Sequence, residues 1–347
     1  MRWSYNKERS RAVAAWLFLL AGLVVAMVVV GGATRLTGSG LSITSWKPIR
    51  GVVPPLSVAD WRAEFAAYQR IPQYRLVNAG MTLDQFKGIF WWEWSHRLLG
   101  RITGLVAFAP FFVFLALRRL PRRLIAPCAG ILALGALQGL VGWWMVASGL
   151  QDRVAVAPER LAIHLGVALV LFCACLWVGL DAWWGRGRAS VFAAGRWRWA
   201  PPALFALAFF QCLLGALVAG SRAGLIDGDW PRMGGRWFPE DYVAPGSGLL
   251  GSWLHSQPAV QFDHRMGGYL LFLAALAFAV VTRRDRLTPA PVRKLGHALA
   301  GAVFLQMLLG IGTLLMGDPI WMGAIHQLGA VGVLGTALAL AWQAPRA

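Results

Sequence analysis

Charge is what this sequence has least of for its size. Asp, Glu, Lys and Arg make up 14% of its 347 residues, while 58% are hydrophobic. Soluble domains carry about 25% charged residues. The deficit argues against a soluble globular class and points to a polytopic membrane protein. Acid is scarcer still: 15 Asp and Glu stand against 33 Lys and Arg, a net charge of +18. Long stretches of strict apolar–polar alternation are missing, which argues against a membrane β-barrel. Cysteine is confined to Cys128, Cys173, Cys175 and Cys212, all within apolar stretches. No outer-loop pair is there to form a disulfide in an oxidising compartment. Cys173 and Cys175 form C-x-C, not the C-x-x-C of a zinc or redox pair. The four read as small packing residues.

What is present is a set of eight apolar segments, each long enough to span a bilayer as a helix. Their approximate ranges are 12–33, 96–117, 124–147, 161–181, 200–221, 262–282, 294–316 and 321–343. The fold class expected is therefore an all-α polytopic membrane protein with eight transmembrane helices. The first segment exceeds the usual apolar length of a signal peptide and reads as a retained helix.

The basic residues report topology. With the N-terminus inside, the inner side collects eighteen Lys and Arg against three acids, and the outer side fifteen against twelve. Short Arg-dense loops such as RRLPRR mark the cytoplasmic face. Both termini are expected there, and no nucleic-acid partner is needed to explain the charge.

The chain repeats itself. EWSHRLLGR at 93–101 is echoed by QFDHRMGGY from 261, which lays His264 on His96 and Arg265 on Arg97. The same offset carries Gln138 onto Gln306, and AIHLGVAL at 162 is echoed by AIHQLGAV at 324. The loops TRLTGSGLSITSWKPIRG and SRAGLIDGDWPRMGG correspond loosely. Four helices is an even number, so two copies share one orientation, related by an axis along the membrane normal. Two tandem, pseudo-twofold-related four-helix bundles follow: residues 1–181, a cytoplasmic linker 182–199, and residues 200–347. A transporter reading is disfavoured, because the polar residues cluster at one face and the spans are not broken in matched places.

Four of the six histidines lie in the repeat: His96, His164, His264 and His326. Each falls near the start of an even-numbered span, so the topology places all four near the outer surface. Ionisable groups within a span are costly and mark sites. Two imidazoles from the second and fourth helices of each bundle are too few for zinc. They suffice for haem iron, whose porphyrin supplies the other four ligands. Bis-His haem in each bundle is the economical reading. His255 and His297, whose repeat counterparts are Lys87 and Ala129, read as surface residues. Arg97 and Arg265 directly follow two of the ligand candidates; they are candidate propionate contacts or snorkelling cations. Trp91, Trp92 and Trp94 read as an interfacial belt.

The halves differ at Glu93, three residues before His96 and so on the same helix face; its counterpart is Gln261. One carboxylate in a duplicated frame points to chemistry at one site, served by the other. The alternative is an ion pair of Glu93 with Arg97 or Arg101.

These motifs, GGATRLTGSGLSITSWKPIRGVVPP, EWSHRLLGR, AIHLGVAL, FDHRMGGY and AIHQLGAV, taken in order over nearly the whole chain, resemble the haem A synthase family. The resemblance implies oxidation of the C8 methyl of haem O to a formyl group, through successive hydroxylations and loss of water, to make haem A for a terminal cytochrome oxidase. It implies a haem b cofactor on His264 and His326, substrate haem on His96 and His164, and a functional role for Glu93. The lack of outer-loop cysteine pairs is similar to the subgroup found in mitochondria and related bacteria. It implies a bacterial inner membrane, haem sites near the outer face, haem O as substrate, and a haem O synthase and cytochrome oxidase assembly as partners. The rival on the same residues is a non-catalytic bis-His dihaem electron carrier. Oligomeric state, a homo-oligomer included, is not legible, because lipid-facing and partner-facing surfaces look alike.

Overall fold

The computed structural model describes residues 10–47, 49–185, 195 and 197–346. Arg2, Lys7, Arg9, Arg186, Arg188 and Arg196, counted above as inner-side bases, and most of the 182–199 linker lie outside the described residues. The described chain is helical and holds no strand, only an isolated bridge between Met233 and Arg236.

Eight of its helices are long and apolar enough to cross a membrane, which makes this a multi-pass membrane protein. They are α1 (Arg11–Leu36), α4 (Leu83–Ala116), α5 (Arg122–Ala147), α6 (Pro158–Trp184), α7 (Ala200–Ser221), α9 (Gln257–Arg284), α10 (Ala290–Leu315) and α11 (Ile320–Gln343). The shorter α2 (Val58–Tyr68), α3 (Pro72–Leu76) and α8 (Gly248–His255) lie in the two long loops. Local signals set the ends. Ser10 caps α1 by accepting from Val13 N. Pro occupies the first turn of α6, α7, α9 and α10, where its missing N–H costs nothing. Gly185 closes α6 at a φ of 78°, open to glycine without a Cβ penalty.

The spans differ from the sequence reading chiefly at α4. This helix starts at Leu83, well before the expected 96, with a Thr82–Gln85 capping box. Its 34 residues run to about 50 Å, longer than a hydrocarbon core of about 30 Å. The excess stands outside the span. There Phe86 and Phe90 pack with Leu41, Ile43, Tyr68 and Ile71 into a separate apolar cluster, a roof built by the first loop with α2 and α3. Hydrophobic periodicity of the spans carries no signal for such a cap.

Each half closes a ring of four helices: α1, α4, α5, α6, and then α7, α9, α10, α11. The halves meet through α6 against α7 and α1 against α11. This shared wall carries the main core, including Leu17, Leu20, Val24, Leu169, Phe172, Leu204, Ala208, Leu334 and Ala337. Cys128, Cys173 and Cys175 are buried in it and Cys212 packs against it, all four as free thiols. Across the wall, Gln327 donates to Val28 O at 3.0 Å, and its side chain lies where a Cβ on Gly32 would stand. At the far end Trp342 Nε1 donates to Asp181 Oδ1 at 2.8 Å. The rings are not equally tight. The α4–α5 seam is thin where α9–α10 is continuous. Only 6% of α4's most apolar stretch is buried, against 28% for α9.

Candidate functional site

The four repeat histidines occupy four equivalent seats. Each rests against a glycine of a neighbouring helix. A Cβ would come within 2.9 Å of His96 Cε1 at Gly31, 2.9 Å of His164 Cε1 at Gly142, 3.1 Å of His264 Cε1 at Gly215 and 2.8 Å of His326 Cε1 at Gly310. At Gly31, Gly142 and Gly310 a Cβ would force the ring to shift, and at Gly215 the ring would have to give by a few tenths of an ångström.

In three of the seats a glutamine one turn before that glycine touches the same ring. Gln138 Nε2 lies 3.2 Å from His164 Nδ1, Gln211 Nε2 3.0 Å from His264 Nδ1, and Gln306 Nε2 3.0 Å from His326 Nδ1. Each amide also donates to the main-chain carbonyl of its own histidine, at 3.1, 2.8 and 2.7 Å respectively. The pattern is Q-x-x-x-G, as QGLVG, QCLLG and QMLLG. The repeat marks Gln138 and Gln306 only as equivalent positions. It misses Gln211, whose counterpart in the other half is not a glutamine. A lone amide in the apolar run FFQCLLG is the available signal.

The C-terminal pair tests whether haem fits. The rings of His264 and His326 face each other with centroids 6.4 Å apart and planes at 86°. Metal–imidazole bonds of about 2 Å put the centroids of two rings sharing one iron roughly 6 Å apart, so the spacing suits a bis-His iron. The Oε1 atoms of Gln138, Gln211 and Gln306 are buried without hydrogen-bond partners. With its amide turned over, each of these oxygens is the acceptor that the Nδ1–H of an iron-bound ring takes. Among the described residues no set of three or more His, Cys, Asp or Glu is placed to hold a metal ion. The group fits. His96 stands on α4 and His164 on α6.

Beside the rings, each half clamps the loop that follows its first helix. Arg97 Nη2 donates to Ile43 O at 2.8 Å and Nη1 to Ser45 O at 3.0 Å. Arg265 Nη2 donates to Asp227 O at 2.9 Å and Nη1 to Asp229 O at 3.0 Å. One offset relates Ile43 to Asp227 and Ser45 to Asp229, a tighter register than the loose likeness of the two loop sequences. Glu93, 3% exposed, joins the N-terminal clamp. Its Oε2 accepts from Ile43 N at 2.7 Å and Ser42 Oγ at 2.8 Å. Its Oε1 takes Arg97 Nη2 at 2.6 Å and Nε at 3.1 Å. Gln261 instead donates to Asp227 O at 3.1 Å. The ion pair weighed as the alternative for Glu93 is thus present, with Arg97. Further along the C-terminal loop, hydrogen bonds from Gly235 N and Gly234 N hold the Asp229 carboxyl below its ordinary range.

The remaining sequence candidates fall elsewhere. His255 and His297 are exposed. Trp91 and Trp92 are about two-fifths exposed, while Trp94 packs against Trp91 and under the roof.

Comparison with known proteins agrees over most of the length. The model of the family COX15-CtaA, described as cytochrome oxidase assembly protein, matches residues 14–338. A heme A synthase of Caulobacter vibrioides is 56% identical over 341 residues, covering 98% of each chain. One from Parvibaculum lavamentivorans is 46% identical over 94% of this chain and 92% of its own. One from Rhizobium meliloti is 45% identical over 96% and 90%.

Proposed function

The chain belongs to the COX15-CtaA family of cytochrome oxidase assembly proteins, and from that membership we infer that it is a haem A synthase, a membrane-embedded oxidoreductase acting on haem O. In this reading the N-terminal bundle, residues 1–181, receives haem O between His96 and His164 for oxidation of its C8 methyl to a formyl group. The C-terminal bundle, residues 200–347, keeps a haem b between His264 and His326. Haem b bound there supplies one-electron redox capacity.

The observation that carries the division of labour is the contrast of Glu93 with Gln261 inside otherwise equivalent clamps. Glu93 lies one helical turn before His96 on the same helix, its carboxylate fixed by four donors. We assign it the role of accepting a proton from the substrate or opposing positive charge developing at the methyl carbon. Arg97 and Arg265 act first as loop clamps; the N–H groups these contacts leave over are the ones available to haem propionates. The charge bias of the loops supports an orientation with both termini in the cytoplasm of a bacterial inner membrane and the haem sites near the outer face. A haem O synthase upstream and cytochrome oxidase assembly downstream are the partners this chemistry calls for.

The test is extraction and chromatographic typing of the haems from protein purified after co-expression with a haem O synthase. The expected result is haem b together with haem O and haem A. Two equivalents of haem b, with no haem A in the cells, would establish a dihaem electron carrier instead.

A further inference from the structure

Three of the four histidine seats carry a glutamine; the fourth carries a methionine. Gly31 and Gly215 are repeat equivalents, related by the loop offset, and each lies against Cε1 of its own histidine. One turn earlier on the same helices stand Met27 and Gln211, related by the same offset. Their side-chain tips reach the same place. A Cβ on Gly100 would meet Met27 Cε at 3.5 Å; a Cβ on Gly268, the repeat equivalent of Gly100, would meet Gln211 Nε2 at 3.4 Å. Gln211 uses that place to touch His264 Nδ1 at 3.0 Å. Met27 has no amide to turn towards the equivalent nitrogen, and its thioether is a weak acceptor. His96 Nδ1 is correspondingly buried with no hydrogen-bond partner, the one ring nitrogen of the four seats in that condition.

An acceptor for the second ring N–H fixes the orientation and tautomer of a metal-ligating imidazole and raises its basicity. Its loss typically weakens metal affinity by roughly 10–100-fold. We propose that Met27 makes His96 the releasable axial ligand, so that the N-terminal seat takes in and gives up its haem while the Gln211-backed C-terminal seat retains its own. Met27 is a positioning residue, acting through His96. This proposal rests on the reading that the N-terminal pair receives the substrate. It adds a physical reason why one of two nearly equivalent sites exchanges its group. Simple gap-filling by a flexible side chain makes a different prediction: it gives Leu and Gln at this position no reason to behave oppositely.

The experiment is haem transfer from the purified, haem-loaded full-length protein to excess apomyoglobin, followed by absorbance. The phase that disappears in His164→Ala belongs to the N-terminal seat. Met27→Gln should slow that phase by about 10-fold or more and move its low-spin electron paramagnetic resonance signal. Met27→Leu should leave both where they were. Gln211→Met should speed the other phase by a similar factor. If Met27→Gln and Met27→Leu change the phase alike, or neither changes it, the proposal is overturned. If Met27→Gln does not accumulate, Gln211→Met decides alone, and an unchanged C-terminal phase overturns it. Should the fast phase vanish in His264→Ala rather than His164→Ala, the assignment of the substrate site fails, whatever the Met27 variants do.

Discussion

The two loop clamps are nearly the same device built twice. Arg97 and Arg265 reach carbonyls at matching loop positions with matching distances. The arginines therefore belong to the shared scaffold. The residue beside them does not: in one half a carboxylate accepts from the loop's N–H, in the other an amide donates to its carbonyl. Two further differences fall on the N-terminal copy, Met27 for Gln211 and the thin α4–α5 seam. When departures collect on one copy of a duplicated frame, that copy is where the two have come to do different work.

The sharpest way to break the comparison is to remove one ligand from each copy. His264→Ala should abolish haem b binding, while His164→Ala should keep haem b and lose haem O and haem A; pyridine haemochrome and chromatographic analysis read both. Next, Glu93→Gln should lower turnover by about 100-fold or more, the scale of a lost acid–base group, with haem b content unchanged. Gln261→Glu should create no activity and should lower the melting temperature, because it sets a carboxylate against the Asp227 carbonyl. Arg97→Ala should cost about 3–5 kcal/mol, as for one partner removed from a buried pair, since it leaves Glu93 uncompensated. Arg265→Ala, which leaves only carbonyls behind, should cost about 1–3 kcal/mol; denaturation in detergent compares them. The smallest effect expected is from Trp342→Phe, which deletes one hydrogen bond across the shared wall, at about 0.5–1.5 kcal/mol.

Much of this is legible in the sequence. Continuous apolar runs define the spans, and the offset between EWSHRLLGR and QFDHRMGGY pairs His96 with His264 and Arg97 with Arg265. The roof over the N-terminal site is not legible. Its helices α2 and α3 are short, and its core residues, Tyr68 and Phe86 among them, come from segments with no periodic signature long enough to stand alone. Gln211 escapes a comparison between the halves, because the Q-x-x-x-G unit recurs within them, on α5 and α10 as well as α7. The ion pair of Glu93 with Arg97 is visible as an i, i+4 spacing, but the loop N–H and hydroxyl that complete its shell come from 50 and 51 residues away, a separation no local pattern encodes.

The i, i+4 pairing of Glu93 with Arg97 also bears on how the polypeptide enters the bilayer. A charged side chain costs about 2.5–3.5 kcal/mol on insertion at the centre of a span and less near its ends. A helix that carries both signs one turn apart presents the translocation machinery with a neutral pair as soon as it coils. In the folded protein the carbonyls of Ile43 and Ser45, the Ile43 N–H and the Ser42 hydroxyl engage both members of the pair, so a segment made neutral by its own helix is tied to the preceding loop through the same two charges.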